Sequence, residues 1–191
     1  MLQKKASPLQ YDRPDQDALI DFMNRDYIDV REPTYGARGD DGGNDAIAIQ
    51  AALNDVPVTG GVVYLPPGTY RITSSIVFPT DRQVRLIGAG RQATILHVPN
   101  GTTATPGIIH LRGSEYASSI EQLLIRFDQP DFTNVSTATH FVPAIYAQNC
   151  GRFRLRHLRI DLAWDGIDMR GNCGGTFIEN LELCAFNKGI D

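Results

Sequence analysis

The chain has 191 residues, of which 42% are apolar and 21% charged, enough for one domain with a sizeable core. Its net charge of −4 leaves no basic surplus of the kind that nucleic acid or an anionic membrane selects. No apolar run approaches the roughly 18 residues of a membrane span, and three cysteines (Cys150, Cys173, Cys184) are too few for a disulfide framework.

Residues 1–30 are mostly polar and contain Pro8 and Pro14. They have one helical pattern, with Asp15 as its cap and Ala18, Leu19, Phe22 and Met23 on one face. So short a helix cannot bury its stripe alone. It must pack on its own domain, on another copy, or on a partner. No apolar stretch of about 7–15 residues opens the sequence, so with Met1 as the natural start the expectation is that the protein is not exported by a signal peptide.

Residues 31–60 read as a loop and a helix. The loop Gly36-Ala37-Arg38-Gly39-Asp40-Asp41-Gly42-Gly43 gives way to a helix capped by Asn44 or Asp45, with Ala46, Ile49, Ala52 and Leu53 on its apolar face. The loop is acidic and lacks a Lys-Ser/Thr ending, so it is no phosphate cradle, and no cofactor is expected. From residue 61 onward, short strands follow one another: Val62–Leu65, Tyr70–Thr73, Ile76–Phe78, Val84–Ile87 and Thr94–Val98. Breakers such as Pro79-Thr80-Asp81 and Gly88-Ala89-Gly90 separate them, and no long helix intervenes, which argues against a βαβ fold.

An internal repeat fixes the architecture. Ile120-Glu121-Gln122-Leu123-Leu124-Ile125 matches Leu155-Arg156-His157-Leu158-Arg159-Ile160 and Ile178-Glu179-Asn180-Leu181-Glu182-Leu183. The last two are 23 residues apart; the first two are separated by extra residues in the polar loop Asp128–Val142. A second column runs through Ile109, Ile145, Ile167 and Ile190, and a third element recurs as Asn149-Cys150-Gly151 and Asn172-Cys173-Gly174. Gly171 as an insertion accounts for the one-residue slip between columns. Alternating inward residues in a unit near 23 residues mean one solenoid coil per repeat, stacked at about 4.8 Å through parallel ladders. The expected fold is all-β: a right-handed parallel β-helix over residues 61–191 with an N-terminal capping helix, cut short on its C-terminal side, where Lys188-Gly189-Ile190-Asp191 starts a further coil. Leu123, Leu158 and Leu181 should be equivalent inward positions. Cys150 and Cys173 should stack as free thiols, since parallel Cα–Cβ vectors disfavour the disulfide dihedral.

The stretch from Ile28 to about Val98 resembles the N-terminal signature of the pectate-lyase-like superfamily. The residues concerned are Ile28-Asp29-Val30, Tyr35-Gly36-Ala37-Arg38-Gly39-Asp40, Asn44-Asp45-Ala46, Ile49-Gln50-Ala51-Ala52-Leu53, Gly60 through Tyr70, and Leu86-Ile87-Gly88-Ala89-Gly90. The family usually has Gly-Asp-Gly-x-x-Asp-Asp in the loop, whereas this chain has Gly39-Asp40-Asp41-Gly42-Gly43-Asn44-Asp45. The resemblance implies a carbohydrate-handling β-helix, and substrate class more than reaction. Three readings follow. The first is a phage tailspike: residues 1–30 attach to a baseplate or tail protein, the body is a homotrimer, and the target is a bacterial surface polysaccharide. The second is a fragment of an exported polysaccharide lyase or glycoside hydrolase. The third is a fibre that only binds sugar.

Candidate chemistry lies in the second column. With Ile109, Ile145, Ile167 and Ile190 inward, His110, Tyr146, Asp168 and Asp191 point outward in line. Asp168 and Asp191, one rung apart, would split their pKa values into an acid and a base. Asp165 joins them, because Asp165-Gly166-Ile167-Asp168 resembles the Asp-Gly-x-Asp segment of polygalacturonases, although the Asp pair expected one coil later is replaced by Lys188-Gly189-Ile190-Asp191. Trp164 and Tyr146 offer aromatic faces to sugar rings. No His/Cys metal spacing is present among His97, His110, His140 and His157; Asp161, Asp165 and Asp168 are the oxygen ligands a Ca²⁺-assisted lyase would have to use. Glu121, Arg156 and Glu179 read as an exposed column of alternating charge, and Gln122, His157 and Asn180 as a polar ladder at a corner.

Overall fold

The computed structural model describes residues 27–113, 117–130 and 134–191. The helix expected around residues 15–24 lies outside them. The described residues form twelve strands, one α-helix and a short 3-10 turn, and every strand pairing among them is parallel. The strands wind as a right-handed parallel β-helix with three faces. The first face stacks β1 (Tyr27–Asp29), β2 (Gly61–Leu65), β5 (Val84–Gly88), β8 (Ser119–Glu121) and the opening segments of β11 (Arg154–Arg170) and β12 (Phe177–Ile190). The second stacks β3 (Gly68–Arg71), β6 (Thr94–Val98), β9 (Leu124–Phe127) and the middle of β11 and β12. The third stacks β4 (Ile76–Val77), β7 (Ile109–Arg112), β10 (Ile145–Gln148) and the ends of β11 and β12.

The register is the one the repeat dictates. Ile109, Ile145, Ile167 and Ile190 pair in order, and Ile76 extends that column by one rung. On the first face the inward row is Ile28, Val63, Leu86, Ile120, Leu155 and Ile178. On the second it is Tyr70, Leu96, Ile125, Ile160 and Leu183. Leu123 and Leu158 are fully buried, while Leu181 on the last rung is partly buried against the same core. Period-2 alternation with β-branched and Leu side chains sends one row inward on every face, so the core is a continuous apolar column that no single coil could bury. β1 pairs with β2, so Tyr27–Asp29 belong to the β-helix and not to the preceding segment with which the sequence reading had grouped them.

Corners and turns explain the polar residues in the repeat. Gln122, His157 and Asn180 all adopt positive φ (57°, 51° and 51°) between the first and second faces, and Asn180 Nδ2 lies 2.8 Å from His157 Nδ1. Gly171 is the inserted residue: it has φ +67°, and a Cβ there would collide with the Asn149 side chain, whose Oδ1 accepts from Asn172 N at 3.1 Å. The helix α1 (Ala46–Asp55) caps the first coils, burying Ala46, Ile49, Ala52 and Leu53. Asp45 precedes it but does not cap it in the usual way. Its carboxylate accepts from Arg38 N at 2.7 Å, Gly39 N at 3.3 Å and Arg71 N at 3.3 Å, tying the Gly/Asp-rich loop to β3. Asn44 Oδ1 takes Ala46 N and Thr73 N instead.

The charge column differs from the expectation. Glu121 is buried, not exposed, and its register partner on the preceding rung is Ile87; Arg85, two residues before Ile87, reaches its carboxylate diagonally at 3.3 Å. Arg85 and Arg156 flank it on neighbouring rungs, and Ser119 Oγ donates to it at 2.6 Å. Burial alone would raise its pKa, but the Ser119 hydroxyl and Arg85 outweigh burial and hold the carboxyl below the usual carboxylate range.

All three cysteines are free thiols: Cys150 is buried, Cys173 half-buried and Cys184 exposed. Burial, with the Cys173 thiol beside it, pushes the Cys150 thiol up to about 12. Alkylation of the native protein should therefore modify Cys184 first, Cys173 more slowly and Cys150 last, because reagent access falls in that order and the raised pKa keeps Cys150 a thiol. Peptide mass spectrometry of a timed iodoacetamide reaction reads this order directly. Early labelling of Cys150 would contradict its place in the core.

Candidate functional site

The third face carries the residues singled out for chemistry. Strand pairing sets His110, Tyr146 and Asp168 side by side on successive rungs, and Asp191 follows through its backbone bonds to Ile167 O and from Met169 N. The row is real, but its electrostatics differ from the expected pair of repelling carboxylates. Arg170, two residues after Asp168 and so on the same face of the strand, bridges both acids. Its Nη2 donates to Asp168 Oδ2 at 3.0 Å and to Asp191 Oδ2 at 3.3 Å, and its Nε lies 2.5 Å from Asp168 Oδ1. Lys188 Nζ adds a 2.5 Å contact to Asp191 Oδ2. The Lys188 ammonium holds the Asp191 carboxyl below the ordinary carboxylate range. The mutual repulsion that was to raise one carboxyl is offset by two cations, so Asp191 is a carboxylate, not a proton donor.

Asp165 opens the third-face segment, and its Oδ1 accepts from Asn187 Nδ2 at 2.8 Å. Asp161 lies on the second face, paired with Arg159 at 2.9 Å. Asp161, Asp165 and Asp168 therefore do not converge, and no group of three His, Cys, Asp or Glu side chains suited to a metal ion occurs among the described residues. Trp164 stacks on His140 with ring centroids 3.7 Å apart and 20° between planes. One face of its indole is thus covered by the long loop. Gln129 fixes that loop by bonding both the N–H and the C=O of Thr139 and the carbonyl of Leu162. Tyr146 is half-buried and meets His110 edge-to-face at 5.3 Å.

Two members of this site were not singled out from sequence. Arg170 was legible from its i, i+2 spacing to Asp168. His110 was placed in the row but given no role; it is 92% buried, and its Nε2 has no hydrogen-bond partner among the described residues. Burial, then the Arg112 charge, lowers its pKa, so the imidazole is neutral at physiological pH. The row thus offers a neutral imidazole, a phenol, a carboxylate and a guanidinium in line. These groups can bind hydroxyl and carboxylate oxygens and can move protons.

This fold and this outward polar row on one sheet define a pectate-lyase-like β-helix. The sequence profile of the rhamnogalacturonase A/epimerase, pectate lyase-like family matches residues 27–183, and the chain belongs to that family. Mannuronan C5-epimerase AlgE6 of Azotobacter vinelandii is 38% identical over 82 residues, 39% of this chain and 9% of the epimerase. The chain thus spans less than a tenth of the length of such curated relatives. Among solved structures, ORF18 of Geobacillus virus E2 superposes with a TM-score of 0.60 at 24% identity, covering 81% of this chain and 29% of ORF18. The N-terminal fragment of bacteriophage Phi29 gene product 12 superposes with a TM-score of 0.57 at 18% identity, covering 82% of this chain and 26% of that one. Identities this low speak to the fold alone.

Proposed function

We propose that the chain is the N-terminal part of a phage tailspike whose β-helix body recognises, and in the full-length protein depolymerises, a bacterial surface polysaccharide. The segment ahead of β1 would attach to a baseplate or tail protein, the loop and helix up to residue 60 cap the β-helix, and residues 61–191 begin the glycan-binding body, as a homotrimer on the virion. The observation that supports the reading is the presence of two phage proteins among the solved structures that share this fold. The third-face row supplies the sugar contacts: Tyr146 and Trp164 as flanking rings, and Asp168, Asp165 and Asp191 as hydroxyl acceptors. The family and the mannuronan epimerase relative support the second reading, a polysaccharide-modifying enzyme outside a virion.

Two measurements test this. Mass spectrometry of purified virions should find the chain among the structural proteins; recovery only from culture fluid of uninfected cells would favour the enzyme. The 191-residue chain should bind host surface polysaccharide without shortening it. Asp168→Asn should weaken that binding by ~10-fold, the loss of about one charge-assisted hydrogen bond. Binding unchanged by Asp168→Asn and by Tyr146→Ala would move the contact away from the third face.

A further inference from the structure

Asn100-Gly101 is the one Asn-Gly pair in the sequence. It sits at the tip of the turn that leaves β6 on the way to the third face. Thr102 N donates to Pro99 O at 3.3 Å, and Thr102 Oγ1 donates to the same carbonyl at 2.7 Å, which closes the turn. Gly101 has φ +81°, the value that the third residue of a type II turn needs and that glycine adopts without strain. Thr103 N donates to Thr73 O at 3.2 Å, so the base of the turn is held on the preceding coil. Asn100 and Gly101 themselves are exposed.

The Asn100 side chain folds onto the next peptide group. Gly101 N donates to Asn100 Oδ1 at 3.0 Å, which brings that nitrogen close to Cγ, the carbon that carries Oδ1. A Cβ built on Gly101 would meet nothing within 4 Å, so no neighbour screens the pair from water or base. Other asparagines use their side chains differently. Asn44 Oδ1 accepts from Ala46 N and Thr73 N, Asn54 Oδ1 from Gln50 Nε2, Asn149 Oδ1 from Asn172 N, and Asn172 Oδ1 from Gly174 N. Each of these four is followed by Asp or Cys, whose Cβ crowds the adjacent nitrogen. Asp41-Gly42 and Asp165-Gly166 have the glycine but carry a carboxyl in place of the amide.

We propose that Asn100 is a site of spontaneous deamidation, at which the folded protein converts this turn into a mixture of aspartyl and isoaspartyl forms. The Gly101 nitrogen gives its proton to solvent base and bonds to Asn100 Cγ. The Cγ–Nδ2 bond breaks, and Nδ2 takes up a proton and leaves as ammonia. Water then opens the five-membered succinimide. Cleavage between the nitrogen and Cγ leaves aspartate; cleavage between the nitrogen and the main-chain carbonyl carbon leaves isoaspartate. Water is the sole co-reactant. The turn's contribution is the near-attack placement of nitrogen and carbon. Either product adds a carboxylate, so the net charge of −4 becomes one unit more negative. The extra main-chain carbon of isoaspartate falls in the connection between β6 and β7, outside the strand ladders, so the β-helix persists. The site is remote in sequence from the third-face row and does not depend on the glycan reading.

The test ages the intact chain in mildly alkaline buffer made with heavy-oxygen water, beside the excised peptide of residues 94–105 and the variants Asn100→Gln and Gly101→Ala. Peptide mapping by mass spectrometry should find, at Asn100 of the intact chain, loss of ammonia and gain of one heavy oxygen atom, at a rate within ~3-fold of the excised peptide. A more acidic band should grow in step on isoelectric focusing, and faster as pH rises, because the attacking nitrogen must lose its proton. Asn100→Gln, which would have to close a six-membered ring, should remove that band. Gly101→Ala, whose Cβ crowds the nitrogen, should slow the reaction by ~10-fold. The circular dichroism spectrum should not change as the product accumulates. Reaction of the peptide without reaction of the intact chain would mean that the folded turn withholds the geometry, and would overturn the proposal. So would an acidic band that grows equally fast in Asn100→Gln, or a Gly101→Ala chain that reacts as fast as wild type.

Discussion

Replacing Asp45 with alanine is expected to destabilise the protein by about 3 kcal/mol, roughly 1 kcal/mol for each backbone donor left without its acceptor. The carboxylate is 3% exposed and accepts from the N–H groups of Arg38, Gly39 and Arg71. Those three residues lie in the loop and in β3, so one side chain joins the segment before the cap helix to the first coils. The magnitude separates two roles. A simple helix N-cap would lose about 1 kcal/mol, whereas a clip with three part-buried hydrogen bonds loses several times that. Asp45→Asn keeps the shape but turns one acceptor into a donor facing N–H groups, so it should fall nearer to alanine than to wild type. Urea unfolding followed by far-ultraviolet circular dichroism measures both. A loss within ~1 kcal/mol for the alanine variant would reduce Asp45 to an ordinary cap.

This clip also marks a limit of what the sequence discloses. The loop and helix were legible from Gly/Asp clustering and from the spacing of Ile49, Ala52 and Leu53. Which of Asn44 and Asp45 reaches which N–H groups depends on where β3 passes, and β3 is brought there only by the coil. The same holds for Glu121. Its alternation with Arg156 and Glu179 was visible, but its ion pair with Arg85 was not, because Arg85 lies 36 residues earlier in a stretch with no shared motif. Val63 and Leu86 are 23 residues apart, the same unit as Leu155 and Ile178, yet their flanking sequences are too unlike for the repeat to announce them.

The outward row on the third face was legible for a geometric reason. Period-2 alternation assigns a side to every residue once the inward isoleucines are known, so His110, Tyr146, Asp168 and Asp191 had to stack. The electrostatic state was not legible in the same way. Like charges one rung apart suggested a split pair, and the outcome turned on Arg170 and Lys188, whose side chains reach across rungs. The sequence therefore defined the address of this site but not which of its groups are free to accept or release a proton.

Leu158→Ala is expected to cost about 3–4 kcal/mol, within the range for a fully buried leucine whose cavity cannot collapse. Leu158 is completely buried and sits between Leu123 on one rung and Leu181 on the next. Stacked rungs at about 4.8 Å hold the backbone on both sides, so the walls of the cavity cannot move inward. Leu123→Ala should cost about the same, because it too is fully buried. Leu181→Ala is the informative contrast. Leu181 occupies the same inward position but is only partly buried on the last rung, so less apolar area leaves contact with the core, and the loss should be about 1–2 kcal/mol. Equilibrium urea unfolding of the three variants tests the register and the stacking together. A loss for Leu181→Ala equal to that for Leu158→Ala would mean that the last rung is covered as fully as the inner ones, and a mild effect at Leu158 would break the inward ladder on which the site's geometry depends.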